Sequence, residues 1–162
     1  MTQTELMADV LNRNLEMVKM TVADFSDAEM LVRPVPSANH AAWQLGHLIN
    51  SEAHMVNAIK PGSVPAPAGY SDKFTKETAK IDDPKFFPKK AELLDALAKV
   101  RTASIAWVKT LTSADMDRPG PERMKDFAPT AGHVAAMLPV HATMHMGQFQ
   151  VIRRKLGRPV MF

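Results

Sequence analysis

The sequence predicts an all-α protein, a four-helix bundle with a long crossover connection between helices 2 and 3. Three observations carry this. Four long segments space their apolar residues at helical intervals, and none shows the sustained alternation of a strand. Prolines and glycines fall between those segments. A long Pro-rich stretch, Pro61 to Pro88, separates the second segment from the third, as a crossing connection in a bundle requires.

The first helix is expected from Thr4 to Phe25, with Leu6, Val10, Leu11, Leu15, Val18, Val22 and Phe25 as its apolar positions and Thr4 as N-cap. Pro34 and Pro36 break the chain. The second helix starts after Ser37 or Asn39 and runs to Lys60, where Pro61-Gly62 stops it. Within the crossover, Ser71 to Lys80 is expected to form a short helix. The third long helix spans Lys89 to Leu111, entered through Pro88, with Leu93, Leu97, Val100, Ser104, Trp107 and Leu111 on one face. Thr112 to Pro129 is a loop with one helical turn at Ser113 to Met116. The last helix runs from Pro129 to Leu156 and is stopped by Gly157 and Pro159. Pro139 lies inside it and should kink it or leave a backbone carbonyl free.

With 162 residues, 46% hydrophobic and 23% charged, the whole of residues 1–162 is expected to form one globular domain with a full core. No stretch approaches the ~20 apolar residues of a membrane span. The polar Met1-Thr-Gln-Thr-Glu start carries no signal-peptide pattern, so the expected location is cytoplasmic. The net charge of +3 is scattered, and no basic stripe interleaved with aromatics appears, so a nucleic-acid partner is not expected. The basic Arg153-Arg154-Lys155 run is placed to complement the dipole of the last helix. There is no cysteine. Any metal must therefore be held by His, Asp or Glu, and any thiol chemistry must use an external thiol.

The chemistry-bearing feature is the pair His141 and His145 in the last helix. Four residues advance a helix by about 400°, so both rings leave one face, a turn apart, where they can share a metal ion. They follow the apolar line of Leu138, Ile152 and Leu156, and Gln148 is on the same line. A buried imidazole needs a hydrogen-bond partner or a ligand role, and the residues alone leave both open. The second helix offers His47 as a third donor, beside the mid-helix Gly46 that allows a close approach. Trp43, His47, Asn50 and His54 share one side of that helix and Leu45, Leu48, Ile49, Met55, Val56 and Ile59 the other, so both faces should be covered, by the bundle and by a second subunit.

The combination of Trp43-Gln-Leu-Gly-His47, His141-x-x-x-His145-x-Gly147-Gln148 and the closing Leu156-Gly157-x-Pro159 resembles the DinB superfamily, over nearly the whole chain. The resemblance implies a bacterial four-helix bundle, often a homodimer. It implies one divalent transition metal, Zn or Ni first, held by His47, His141 and His145. Members include thiol-dependent transferases and isomerases and metal-dependent hydrolases. The activity it implies is thiol S-transfer or isomerisation with an external low-molecular-weight thiol and a small-molecule substrate. Hydrolysis by a metal-dependent route, or a non-catalytic metal-binding, stress-related dimer, are the alternatives. Met146 stands where many members carry a second histidine or a basic residue. Gln148 is a candidate for orienting a ligand from outside the metal's own shell. His54 and His133 lie about two turns from the nearest candidate ligand, too far to share an ion. His40 is expected at the surface near a helix start. Glu52 is expected in a salt bridge at an interface. The twelve methionines are expected to fill the core, and Trp43 and Trp107 to wall a core or cleft.

Overall fold

The computed structural model describes residues 1–161, so Phe162, the last position of the expected domain, lies outside the described residues. Helix α1 spans Gln3–Val22. Its N-cap is Thr2 rather than Thr4. The Thr2 hydroxyl accepts from the Glu5 N–H at 3.2 Å while the Glu5 carboxylate accepts from the Thr2 N–H at 2.7 Å. Thr4 has Met7 three residues on and cannot close that reciprocal pair. At its other end α1 stops at Val22, short of Phe25. The Thr21 carbonyl that would bond Phe25 N–H accepts instead from Arg153, at 3.0 Å. Arg153 also pairs with Asp24 at 2.6 Å. The basic residue expected to complement a helix dipole is thus a buried clasp between the ends of the first and last helices.

Helix α2 spans Ala41–Ile59 and is capped by His40. His40 is fully buried, contrary to its expected surface position. Its Nδ1 accepts from Trp43 N–H at 3.1 Å and its Nε2–H donates to the Ile81 carbonyl at 3.1 Å, so both ring nitrogens are satisfied without water. The crossover that follows contains α3, Tyr70–Lys73, and a 3-10 turn at Thr78–Lys80, so the expected Ser71 to Lys80 helix is split at Phe74–Glu77. Helix α4 spans Lys90–Lys109, α5 Ser113–Asp117 and α6 Ala131–Lys155. Pro139 does not end α6. Its carbonyl accepts from the Thr143 hydroxyl at 2.8 Å and the Asn14 amide at 3.3 Å.

The four long helices form a bundle in which α1 and α2 each pack against both α4 and α6. Consecutive helices α1 and α2 therefore stand on a diagonal, and the 60–89 connection carries the chain from α2 to its neighbour α4. Leu11, Leu45, Ile49, Leu93, Phe149 and Ile152 have no exposed surface at the centre. Each such side chain contributes ~1.5–3 kcal/mol by burial. The crossover lies along the outer side of α2. The Phe74 ring fills the space that a Cβ on Gly46 would need, 2.0 Å from its nearest ring atom. The crossover thus covers the outer side of α2 around Trp43 and Gly46, while His54 farther along stays exposed. The isolated bridge of Pro119 with Thr130 closes the loop before α6.

Candidate metal centre

Three turns of helix decide the site. On α6, His141 and His145 leave one face as the spacing predicts, and α2 presents His47 across the groove between the two helices. One nitrogen from each of the three rings lies within 4.8 Å of the others. The structure therefore brings together the three histidines that the family resemblance picks out. His54 is exposed on α2 and His133 is exposed at the start of α6, where its Nδ1 meets the Thr130 hydroxyl at 2.8 Å; neither joins the cluster.

The rings are held in place from behind. The Gln44 side-chain N–H donates to the Asn39 carbonyl at 2.6 Å, which fixes the amide so that its oxygen faces His145. That oxygen accepts from His145 Nδ1–H at 2.8 Å, and the His145 Nε2 lone pair then points into the cluster. A hydrogen bond of this kind sets the tautomer and ring plane of a ligating histidine. Gln148, the candidate for this role, lies about 60° round the helix from His145 and is exposed. Gln44 went unnoticed in the sequence although it sits in the same motif as His47. Its signal was a polar side chain one position after Trp43 and three before His47, in the first turn of a helix whose opening residues are otherwise apolar. On the other wall, the Trp43 and His47 rings stack at 5.0 Å and 7°. The Trp43 indole N–H donates to the Thr75 carbonyl at 3.1 Å, so the crossover holds the Trp43 ring and through it the plane of His47. The Ser51 hydroxyl is 3.4 Å from His47 Nε2.

Burial lowers the pKa of all three histidines. His145 falls to about 3 and His47 to about 4, burial leading and the neighbouring imidazoles adding to it. His141 is lowered by burial as well, opposed by the negative charge of Glu52. All three rings are therefore neutral at pH 7, the form that offers a lone pair to a cation. The donor set fits a metal by distance too. His141 Nε2 and His145 Nε2 are 3.3 Å apart. Two nitrogens bound at 2.0–2.1 Å to a tetrahedral zinc-sized ion stand about 3.3 Å apart.

Below the histidines lies a second polar cluster. The Arg101 guanidinium on α4 is buried and donates to the Glu52 carboxylate on α2 at 2.8–3.1 Å. It also donates to the Leu11 carbonyl at 2.9 Å and to the Asn14 side chain at 3.0 Å on α1. Glu52 is in a salt bridge as expected, but inside one bundle rather than at an interface. In front of the histidines is an open cleft of about 690 Å³, with His47 and His141 at its base. Its walls are Met55, Met124, Met137, Met144 and Phe127. Met55 and Met124 fill the core as expected and reach the cleft from it, Met137 packs against the core, and exposed Met144 only borders the cleft. The wall opposite α2 comes from the loop before α6, not from the crossover.

No helix among the described residues is long and apolar enough to cross a membrane. A conserved protein of Enterococcus faecalis, known from its crystal structure, superposes with a TM-score of 0.77 at 19% identity, covering 98% of this chain and 99% of that one. YfiT from Bacillus subtilis, described as a probable metal-dependent hydrolase with an unusual four-helix bundle topology, superposes with a TM-score of 0.68 at 15% identity, covering 98% of this chain and 91% of that one. At these identities the likeness is one of fold. Among curated protein sequences none matches. The family profile of the DinB superfamily matches residues 11–149, most of the chain, and so includes the three clustered histidines: the chain belongs to the DinB superfamily.

Proposed function

We propose that this protein is a metal-dependent enzyme that binds one divalent transition ion, Zn or Ni, through His47, His141 and His145 and transfers or isomerises groups with the help of an external low-molecular-weight thiol. The observation that carries the reading is a cluster of three neutral imidazoles at the base of an open apolar cleft. Three protein donors leave a coordination position for an exchangeable ligand, whereas structural sites are closed with four. A bound ion of this kind supplies Lewis acidity and stabilises a thiolate or hydroxide at neutral pH.

The choice of thiol chemistry over hydrolysis follows from what surrounds the histidines. No Asp or Glu lines the cleft, and the nearest buried carboxylate, Glu52, is engaged by Arg101. Water activation benefits from such a base, while a thiolate attacks without one. Among the described residues there is also no cysteine to compete for the ion. The thiol's proton passes to solvent, its sulfur bonds the electrophilic carbon, and the leaving group departs with its electron pair. In this proposal the chain works in the cytoplasm, where free thiols are kept reduced, and as a homodimer. Exposed Val140, Met144 and Val151 on α6 supply an apolar face for the partner copy, which sedimentation velocity tests.

The test begins with metal content per chain in protein purified without an affinity tag, beside His145→Ala. About one ion in the wild type and almost none in the variant supports the site. Loaded protein is then offered cysteine-derived thiols with 1-chloro-2,4-dinitrobenzene, and separately p-nitrophenyl acetate without thiol. Thiol-dependent product supports transfer. Turnover of the ester alone moves the assignment to hydrolysis, the activity described for YfiT.

A further inference from the structure

The Arg123 side chain makes no hydrogen bond to the rest of the chain among the described residues. It is exposed on the loop before α6 and makes no ion pair among the described residues, while its neighbour Glu122 is taken by Lys125. Yet it lines the histidine cleft, and it also lines, with His54, the adjoining hollow over the outer face of α2. Its side chain therefore stands at the rim between them. The rest of the cleft wall on that side is Met124, Phe127, Met137 and Met144. From rim to base the cleft offers the Arg123 cation, then this apolar wall facing Asn50, Ser51 and His54 of α2, then the imidazoles of His47 and His141, and no acidic side chain lines it.

We propose that the cleft is built for a small monocarboxylate with an apolar body, whose carboxylate is held by Arg123 while its reactive end reaches the histidines. This rests on the metal-site reading given above. A guanidinium fork matches a carboxylate through two parallel hydrogen bonds, which a lone lysine would not do. One arginine balances one charge. A phosphate monoester, with nearly two charges and three acceptor oxygens, would leave most of its acceptors unmet. The methionine walls add apolar contact that adapts to the shape of the body. Arg123 is thus a specificity residue, remote from the reacting atoms, and discriminates among electrophiles that the metal site would otherwise accept equally.

The experiment compares two probes on the metal-loaded protein by calorimetric titration. Octanohydroxamic acid and suberic acid monohydroxamate share a metal-binding head and a linear apolar body, and only the second ends in a carboxylate. The expected result is about tenfold tighter binding of the carboxylate probe, the size of one charge-assisted contact at an exposed rim. High salt erodes that preference. Arg123→Gln, a surface change that leaves the circular dichroism spectrum intact, abolishes it and leaves octanohydroxamic acid binding within about twofold. Equal affinity of the two probes for loaded wild type, failure of both to bind loaded protein, or a preference that survives Arg123→Gln overturns the proposal while leaving the metal site standing. Failure to take up Zn or Ni at all overturns the metal reading, and this inference with it.

Discussion

The Arg101 cluster and the histidine cluster occupy the same bundle and share helix α2, yet they are finished in opposite ways. Around Arg101 every guanidinium nitrogen has an acceptor, drawn from α1 and α2, and the Glu52 carboxylate is bound at both oxygens. Asn14 carries the network on to α6 through the Pro139 carbonyl. At the histidines only one ring, His145, has its outer nitrogen tied to a buried amide, and the inner nitrogens face each other and the cleft. A satisfied buried network specifies how helices sit together. A cluster left with lone pairs turned toward an opening is poised to bind. Polar burial alone therefore does not mark function; unfinished polar burial does.

That contrast can be broken at its saturated end first. Arg101→Met leaves Glu52 buried without a partner and should cost ~3–5 kcal/mol in urea denaturation, most of it recovered by adding Glu52→Leu. A loss under ~1 kcal/mol would mean that the pair is solvated and the distinction false. Next in size, His145→Ala and His47→Ala should remove the ion. The ~2.7 kcal/mol that metal at a hundredfold excess over its Kd adds to wild-type stability should vanish. Metal-free His145→Ala should also lose ~1–3 kcal/mol, because the buried Gln44 oxygen is left without its donor. Full occupancy in either variant would sink the three-histidine assignment.

Gln44→Leu should weaken metal affinity ten- to a hundredfold by freeing the His145 tautomer, about the effect of losing such an orienting bond. Gln148→Ala should not change it. Acid gives a smaller and graded effect. The histidines have folded pKa values below their unfolded value of about 6.5, so the unfolded chain takes up protons first as pH falls. The metal-free protein should hold its stability above that pH and lose it progressively from about 6.5 down toward 4 and 3. Asp24 and Glu29, lowered to about 2 chiefly by hydrogen bonds, one from Arg153 and the other from Ser26, keep their contribution until more acid pH. A wild type as flat as the His47→Ala variant across the upper window would show that these rings are not buried in solution. The smallest effect belongs to His54→Ala, which should leave metal content unchanged in the same measurement that registers His47→Ala.

Much of this was legible before folding. Helical periodicity placed the four long helices to within three residues at either end, because burial of one face imposes that spacing whatever the neighbours are. Errors at the ends came from partners far away in sequence: Arg153 took the Thr21 carbonyl and shortened α1, and Ile81 gave His40 the second partner that let it be buried. The i, i+4 spacing put His141 and His145 on one face, since helix geometry is local. Which amide would support them was not local. Gln148 and Gln44 look equivalent in the sequence, and only the packing of α2 against α6 turned one inward and the other to solvent.

The helical class, the long crossover and a chemistry confined to nitrogen and oxygen donors were set along the chain, because periodicity, proline and the lack of cysteine act residue by residue. That Glu52 is finished by Arg101 while the histidines face a cleft, that the Phe74 ring of the crossover seats against Gly46 of α2, and that Arg123 stands at the cleft's rim came from the tertiary fold. Each of these depends on which surfaces meet across the bundle, and such meetings are set by the summed packing of four helices rather than by any one segment.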